Sequence, residues 1–246
     1  MIAALTSLLL AAQLAVDGGS VSNEAYQKQV DSGRHAAVTV PLTPMEALPR
    51  RLPVFAMRGA VLFPTASAPL LVGRPETVKL IGAVGKGGLL LALTTRDPAQ
   101  PGPIAPANLY SIGCLARIVV IEQQPDGSLM VVLQGIRRVR AGAIQQEADW
   151  LTSAPAEMAD TVALPAHGPS DLLKLYRNAM PMPPTATVAT WNDWLNRVEA
   201  SPLSDQTWAI GGNLGDEFPE QQKLLEMTDA SARVRLLADK LNHLPR

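Results

Sequence analysis

Apolar residues fall into two regimes along the chain. Between Leu52 and Ala141 they come in short runs bounded by Gly and Pro, as strands do, and after Pro165 they recur at three- and four-residue steps, as helices do. Leu52–Met57, Ala60–Phe63, Ala68–Gly73 and Leu89–Thr95 are runs of the first kind. Ile112–Ile121 and Leu129–Leu133 are rich in β-branched residues and are separated by Gln124-Pro125-Asp126-Gly127-Ser128. In that insert a proline is pre-set for the first turn position and a glycine is free to take positive φ, which predicts a hairpin. Both faces of Leu129–Leu133 are apolar, so this strand is expected inside a barrel or sandwich, and Gly135–Ala141 is expected to continue as a more polar strand. One helix interrupts the strands. Pro75 fits a first helical position and Glu76 the positive helix end, which predicts a helix from about Pro75 to Val84, stopped by Gly85-Lys86-Gly87-Gly88. Four prolines between Pro98 and Pro106 predict a loop.

The second regime predicts a small helical bundle. Ser170 is placed to cap a helix with Leu172, Leu175, Tyr176 and Ala179 on one face, ended by Pro181. Trp191, Leu195 and Val198 mark a second helix, and Ser204-Asp205 opens a third that contains Trp208. The last helix is the most regular: Thr228 is the expected N-cap, and Ala230, Val234, Leu237, Leu241 and Leu244 form one stripe. The fold class expected is α+β, a β domain over 49–160 followed by a helical bundle over 168–246. Residues 17 to 48 are polar and proline-punctuated and read as a linker or loosely packed arm. Ile2–Val16 is apolar but too short to span a bilayer. It has the length of a secretory leader's apolar stretch, yet no Lys or Arg precedes Lys28, which favours an extension helix or an early start codon over export. The compartment expected is the cytoplasm, with an exported form if the segment does act as a leader.

Composition narrows the function classes. Aromatics make up only 4% of residues, so the core is expected to be aliphatic. A net charge of −1 gives no global field for phosphate backbones or anionic lipid, so neither DNA nor a membrane is an expected partner. The single cysteine, Cys114, rules out a disulfide within one chain and, lying in an apolar run, reads as a small buried hydrophobe.

Seven ordered pieces carry a family resemblance. Leu52-Pro53-Val54-Phe55-Ala56-Met57-Arg58, Val61-Leu62-Phe63-Pro64 and Ala68-Pro69-Leu70-Leu71-Val72-Gly73-Arg74 resemble the patterns LPVLPLR, VVFP and PLFVGR that open the N-terminal domain of Lon-type proteases. Further along, residues 109–116 resemble its LYxVGTVA, Pro125-Asp126-Gly127 its LPDG turn, residues 133–138 its VEGLxR, and residues 224–229 its LLEMSD. Ala56 and Gly59 depart from the usual pattern. The resemblance spans roughly residues 50 to 242 and implies a PUA-like β pseudo-barrel followed by a small C-terminal helical bundle. It also implies a role, because in Lon enzymes this region recognises protein substrates and helps to assemble the hexamer. The chain stops at Pro245-Arg246, where Lon enzymes continue into ATPase and serine-lysine peptidase modules, so a stand-alone, non-catalytic form is expected.

Weighed as chemistry, the motifs are weak. Gly82-Ala83-Val84-Gly85-Lys86-Gly87 lacks the spacing and the hydroxyl residue of a phosphate loop and follows a helix, so it reads as a helix stop. His35, His167 and His243 show no ligand spacing, and no metal or cofactor is expected. Asp216, Glu217 and Glu220 suit a first helical turn better than a catalytic pair. Trp191, Trp194 and Trp208 are expected in the bundle core. The candidate protein-binding residues are Phe63, Pro69 and Leu70 near the barrel mouth together with Arg137 and Arg138. The expected partners are unfolded or exposed apolar polypeptide segments, alongside a separate protease or chaperone, and self-association is compatible with this. The alternative is an RNA-binding PUA-like module using Arg137, Arg138 and Arg140, against which the near-neutral charge argues. An enzyme of unrecognised type is a third reading.

Overall fold

The computed structural model describes residues 48–147, 149–162, 164, 171–183 and 186–244. The expectations placed on residues 1–47, His35, His167 and a Ser170 cap lie outside them. The chain divides into two compact units, the first ending at Met158 and the second beginning at Ala159.

The first unit is built on eight strands. These are β1 (Leu52–Met57), β2 (Ser67–Val72), β3 (Leu89–Thr94), β4 (Ile112–Gln123), β5 (Leu129–Ala141), β6 (Gln145–Glu147), β7 (Trp150–Ser153) and β8 (Pro155–Glu157). They pair in the order β2-β5-β4-β3-β1-β7-β6, with β8 on β5. The β1–β3 pair is parallel and the others are antiparallel. Period-two alternation sorts two cores onto the two sheet faces. Phe55, Met57, Leu90 and Cys114 bury on one face, and Leu52, Val54, Leu91 and Leu115 on the other. Burial on both faces is why these runs are almost continuously apolar.

The β4–β5 hairpin forms at the predicted turn. Gln124 donates its N–H to the Ser128 carbonyl at 2.8 Å, and Gly127 takes φ 86. The Asp126 carboxylate accepts from the Ser128 hydroxyl at 2.6 Å and the Ser128 N–H at 3.0 Å, which holds its carboxyl below the usual carboxylate range. The predicted polar continuation is the same strand, since β5 runs unbroken for 13 residues, with register shifts at Leu115/Ala116 and Ile118/Val120. Beside the first shift stands Gly135. Its N–H donates to the Ala66 carbonyl at 2.8 Å and its carbonyl accepts from the Thr65 N–H at 2.9 Å. A Cβ on Gly135 would sit 2.1 Å from the Phe63 carbonyl oxygen, so only glycine lets this crossing segment so near.

That segment corrects one expectation. Ala60, Leu62 and Phe63 are buried, but the run Ala60–Phe63 is not a strand. The Ala60 carbonyl accepts the Thr94 hydroxyl at 2.9 Å rather than a ladder N–H, and Pro64 with Thr65 at φ 64 turns the chain before β2. Helix α1 (Pro75–Val84) occupies the predicted span and ends where the Gly85 N–H reaches the Ile81 carbonyl at 2.9 Å.

The described residues of the second unit form five helices: α2 (Asp171–Ala179), α3 (Val188–Ala200), α4 (Leu203–Gly211), α5 (Phe218–Glu226) and α6 (Ala230–Asn242). Thr187 and Thr190 cap α3 reciprocally. On α2 the buried positions are Leu172, Leu173 and Tyr176, so Leu173 takes the inward place expected of Leu175. Burial pushes the Tyr176 hydroxyl well up from its ordinary pKa. Trp208 is buried, whereas Trp191 and Trp194 are only half-buried and stack on each other at 5.2 Å beside Tyr176. The α6 cap is Asp229, not Thr228, because its carboxylate accepts the Ala232 N–H at 2.9 Å.

The sequence reading missed Arg233, which is fully buried in the α6 stripe. Its guanidinium grips both oxygens of Asp160 at 2.7 and 2.6 Å, donates to the Met227 carbonyl at 2.8 Å and lies 4.0 Å over the Trp208 ring. An i, i+3, i+4 apolar pattern cannot announce a cation whose partners lie up to 73 residues away.

Gly135→Ala is expected to lower stability by about 1–3 kcal/mol, while Gly82→Ala, on an exposed turn of α1 with open space around it, raises it by about 0.5–1 kcal/mol. Urea unfolding of both variants checks the opposite signs. Asp160→Ala strands a buried cation and is expected to cost about 3–5 kcal/mol, read as a fall in the denaturation midpoint of the second unit.

Candidate functional site

A cleft of ≈ 690 Å³ opens in the first unit between β1, the first turns of α1, the proline-rich loop and the β6–β7 hairpin. Its position follows from the pairing of β1. The β1–β7 ladder holds only Leu52 with Ser153 and Pro53 with Thr152, whereas β1 continues along β3 to Met57. Beyond Val54 the sheet therefore forks, and the cleft fills the fork. Val54, Ala56, Leu80, Ile104, Trp150 and Leu151 give it apolar walls, and Arg58, Arg74, Glu76, Gln146 and Asp149 give it polar ones.

One wall is the loop with four prolines, and Arg58 holds it. The Arg58 side chain, only 3% exposed, donates to the carbonyls of Pro98 at 3.1 Å, Gln100 at 2.6 Å and Gly102 at 3.0 Å. Arg74 adds a bond to the Gly102 carbonyl at 3.3 Å. Three carbonyls disperse the Arg58 charge, so the buried cation is solvated by main chain. Glu76 and Asp149 are exposed at the cleft, and no ion pair joins either of them to another described residue.

The residues singled out from sequence lie elsewhere. Phe63 at 1% and Leu70 at 2% exposure are core, and Pro69 is half-buried in β2. Phe63 and Leu70 thus offer no contact surface, because the apolar character that drew attention to them is what buries them. Arg138 is buried and donates to the Met158 carbonyl at 3.4 Å, Arg137 pairs with Glu157, and only Arg140 is exposed. The three arginines make no common basic face. Register explains it: the ladder with β4 is unbroken from Arg137 to Arg140, so alternation sets Arg137 on the face opposite Arg138 and Arg140, and β8 covers β5 from Val139 to Ala141. Trp150 and Arg58 carry the cleft and were missed as site residues. An isolated tryptophan in the polar stretch Gln145–Trp150, and an arginine closing an apolar strand, were the available signals.

Other candidate chemistry dissolves into structure. Asp216 pairs with Lys240 at 2.6 Å and Glu220 with Lys223 at 2.6 Å, which lowers the Glu220 carboxyl, and Glu217 stands at the N-cap position of α5 without a side-chain cap bond. His243 bonds back to the Asp239 carbonyl at 2.8 Å. Among the described residues no group of three His, Cys, Asp or Glu side chains is placed to hold a metal, and no helix is long and apolar enough to cross a membrane.

An eight-stranded mixed sheet with a helical C-terminal region is the fold of Lon N-terminal domains. A Lon N-terminal domain protein from Xanthomonas campestris superposes with TM-score 0.53 at 18% identity, covering 79% of this chain and 99% of that one. The N-terminal domain of Mycobacterium avium complex Lon protease superposes with TM-score 0.55 at 19% identity, covering 78% and 98%. The chain belongs to the ATP-dependent protease La (LON) substrate-binding domain family, whose profile matches residues 51–243. Lon protease 2 of Myxococcus xanthus is 28% identical over 90% of this chain and 27% of its own length, and the Lon protease of Anaeromyxobacter dehalogenans is 27% identical over 80% and 24%. The chain thus spans about a quarter of the length of these relatives.

Burial raises the Cys114 thiol to about 12. A raised pKa keeps the group protonated below that value, so iodoacetamide at pH 8 is expected to leave the native protein unlabelled and to label it fully in denaturant. Mass spectrometry checks the difference.

Proposed function

We propose that this domain holds exposed apolar or unfolded segments of other polypeptides in the forked cleft and performs no chemistry on them. The cleft carries the reading. It has apolar walls with polar groups around them, the composition expected of a site that takes an apolar side chain while its flanks stay solvated. Membership of a substrate-binding domain family agrees with it. In the cell such a domain acts as an adaptor, passing what it holds to a separate protease or chaperone. Trp150, half-buried at the cleft, is the natural anchor, since aromatic side chains dominate contact energies.

A reduced, carboxymethylated and permanently unfolded protein with a fluorescent label is the probe. Fluorescence anisotropy is expected to show binding to the wild type and about tenfold weaker binding to Trp150→Ala, with unchanged circular dichroism. Equal affinity of the two proteins removes the cleft as the site. Absence of binding to either removes the function.

A further inference from the structure

The fork exposes main chain as well as side chains. The Met57 carbonyl accepts the Thr95 N–H at 2.8 Å, so the main-chain groups of Met57 face β3, and by alternation those of Phe55 do too. Ala56 then presents its N–H and C=O to the opposite side, where β7 has already diverged. No hydrogen bond from another described residue meets them there, and Ala56 lines the cleft. An N–H and a C=O at strand spacing, standing at an open sheet edge, form the template that another extended backbone completes.

Charge narrows the occupant. Arg58 is buried and saturated by loop carbonyls, and Arg74 is tied to Gly102. Of the charged residues that line the cleft, the carboxylates Glu76 and Asp149 are exposed and have no ion-pair partner among the described residues. We propose that the cleft takes an extended polypeptide segment that pairs main chain to main chain with Ala56. An apolar side chain of the segment lies against Ile104 and Trp150, and a lysine or arginine meets Glu76 and Asp149. This deepens the function proposed above and rests on it: edge pairing accepts many sequences, while the apolar and basic positions set the preference.

A fluorescein-labelled peptide that alternates valine and threonine around one phenylalanine, with one lysine, tests the proposal by anisotropy. Binding to the wild type is expected, and N-methylation of two neighbouring backbone nitrogens, which blocks both peptide edges, weakens it about tenfold. Ala56→Pro gives a similar loss with little change in Tm, because the N–H it removes is not part of the β3 ladder. Glu76→Lys reverses the preference, so that a glutamate peptide binds better than the lysine peptide. Undiminished binding of the N-methylated peptide to the wild type overturns strand pairing, whatever the variants do. Failure to hold the unmodified peptide while the unfolded protein still binds in a Trp150-dependent way overturns it too and leaves the cleft reading standing. Failure to hold either probe takes both readings down.

Discussion

The first unit turns on a side chain that is absent. At Gly135 the segment carrying Phe63 crosses β5 so closely that a methyl group would overlap a carbonyl oxygen, and two hydrogen bonds from Gly135 lock the crossing in place. The crossing buries Leu62 and Phe63, and β2 then begins alongside the first half of β5 while β8 takes the second half. Thirteen residues of β5 thus serve three neighbouring strands, and the register shift beside Gly135 redirects the side chains that follow it.

Much of this was legible in the residues because local rules and tertiary packing agree. The α1 boundaries follow from Pro75, Glu76 and Gly85, and the β4–β5 turn from Pro125, Asp126 and Gly127, each through chemistry that acts within a few residues. The misreadings share one cause. Ala60–Phe63 is as apolar as a strand, but its carbonyl at Ala60 finds the Thr94 hydroxyl instead of a ladder partner. Thr228 is as good a cap in isolation as Asp229, and only the placement of the Ala232 N–H decides between them. Arg233 sits in a helical stripe that reads as apolar, and its pairing with Asp160 is a fact of the fold.

The site was less legible than the fold, for a physical reason. A cleft formed by two strands parting is a property of which ladder bonds are not made, and no residue type marks an unmade bond. Val54, Ala56, Trp150 and Leu151 come from opposite ends of the β unit, and their common feature is that β1 stays with β3 while β7 leaves after two pairs. Apolar residues conspicuous in sequence, such as Phe63 and Leu70, were drawn into the core by that same property. The family profile covers the β unit and the helices alike, so the fork is set within the matched region.

The Arg58 clamp has a thermodynamic corollary. A loop with four prolines has little backbone freedom to lose, and a single guanidinium fastens it at three carbonyls within five residues. That wall is therefore still before anything arrives. A visitor to the cleft meets one preorganised wall, and no entropy of loop ordering is surrendered there on association.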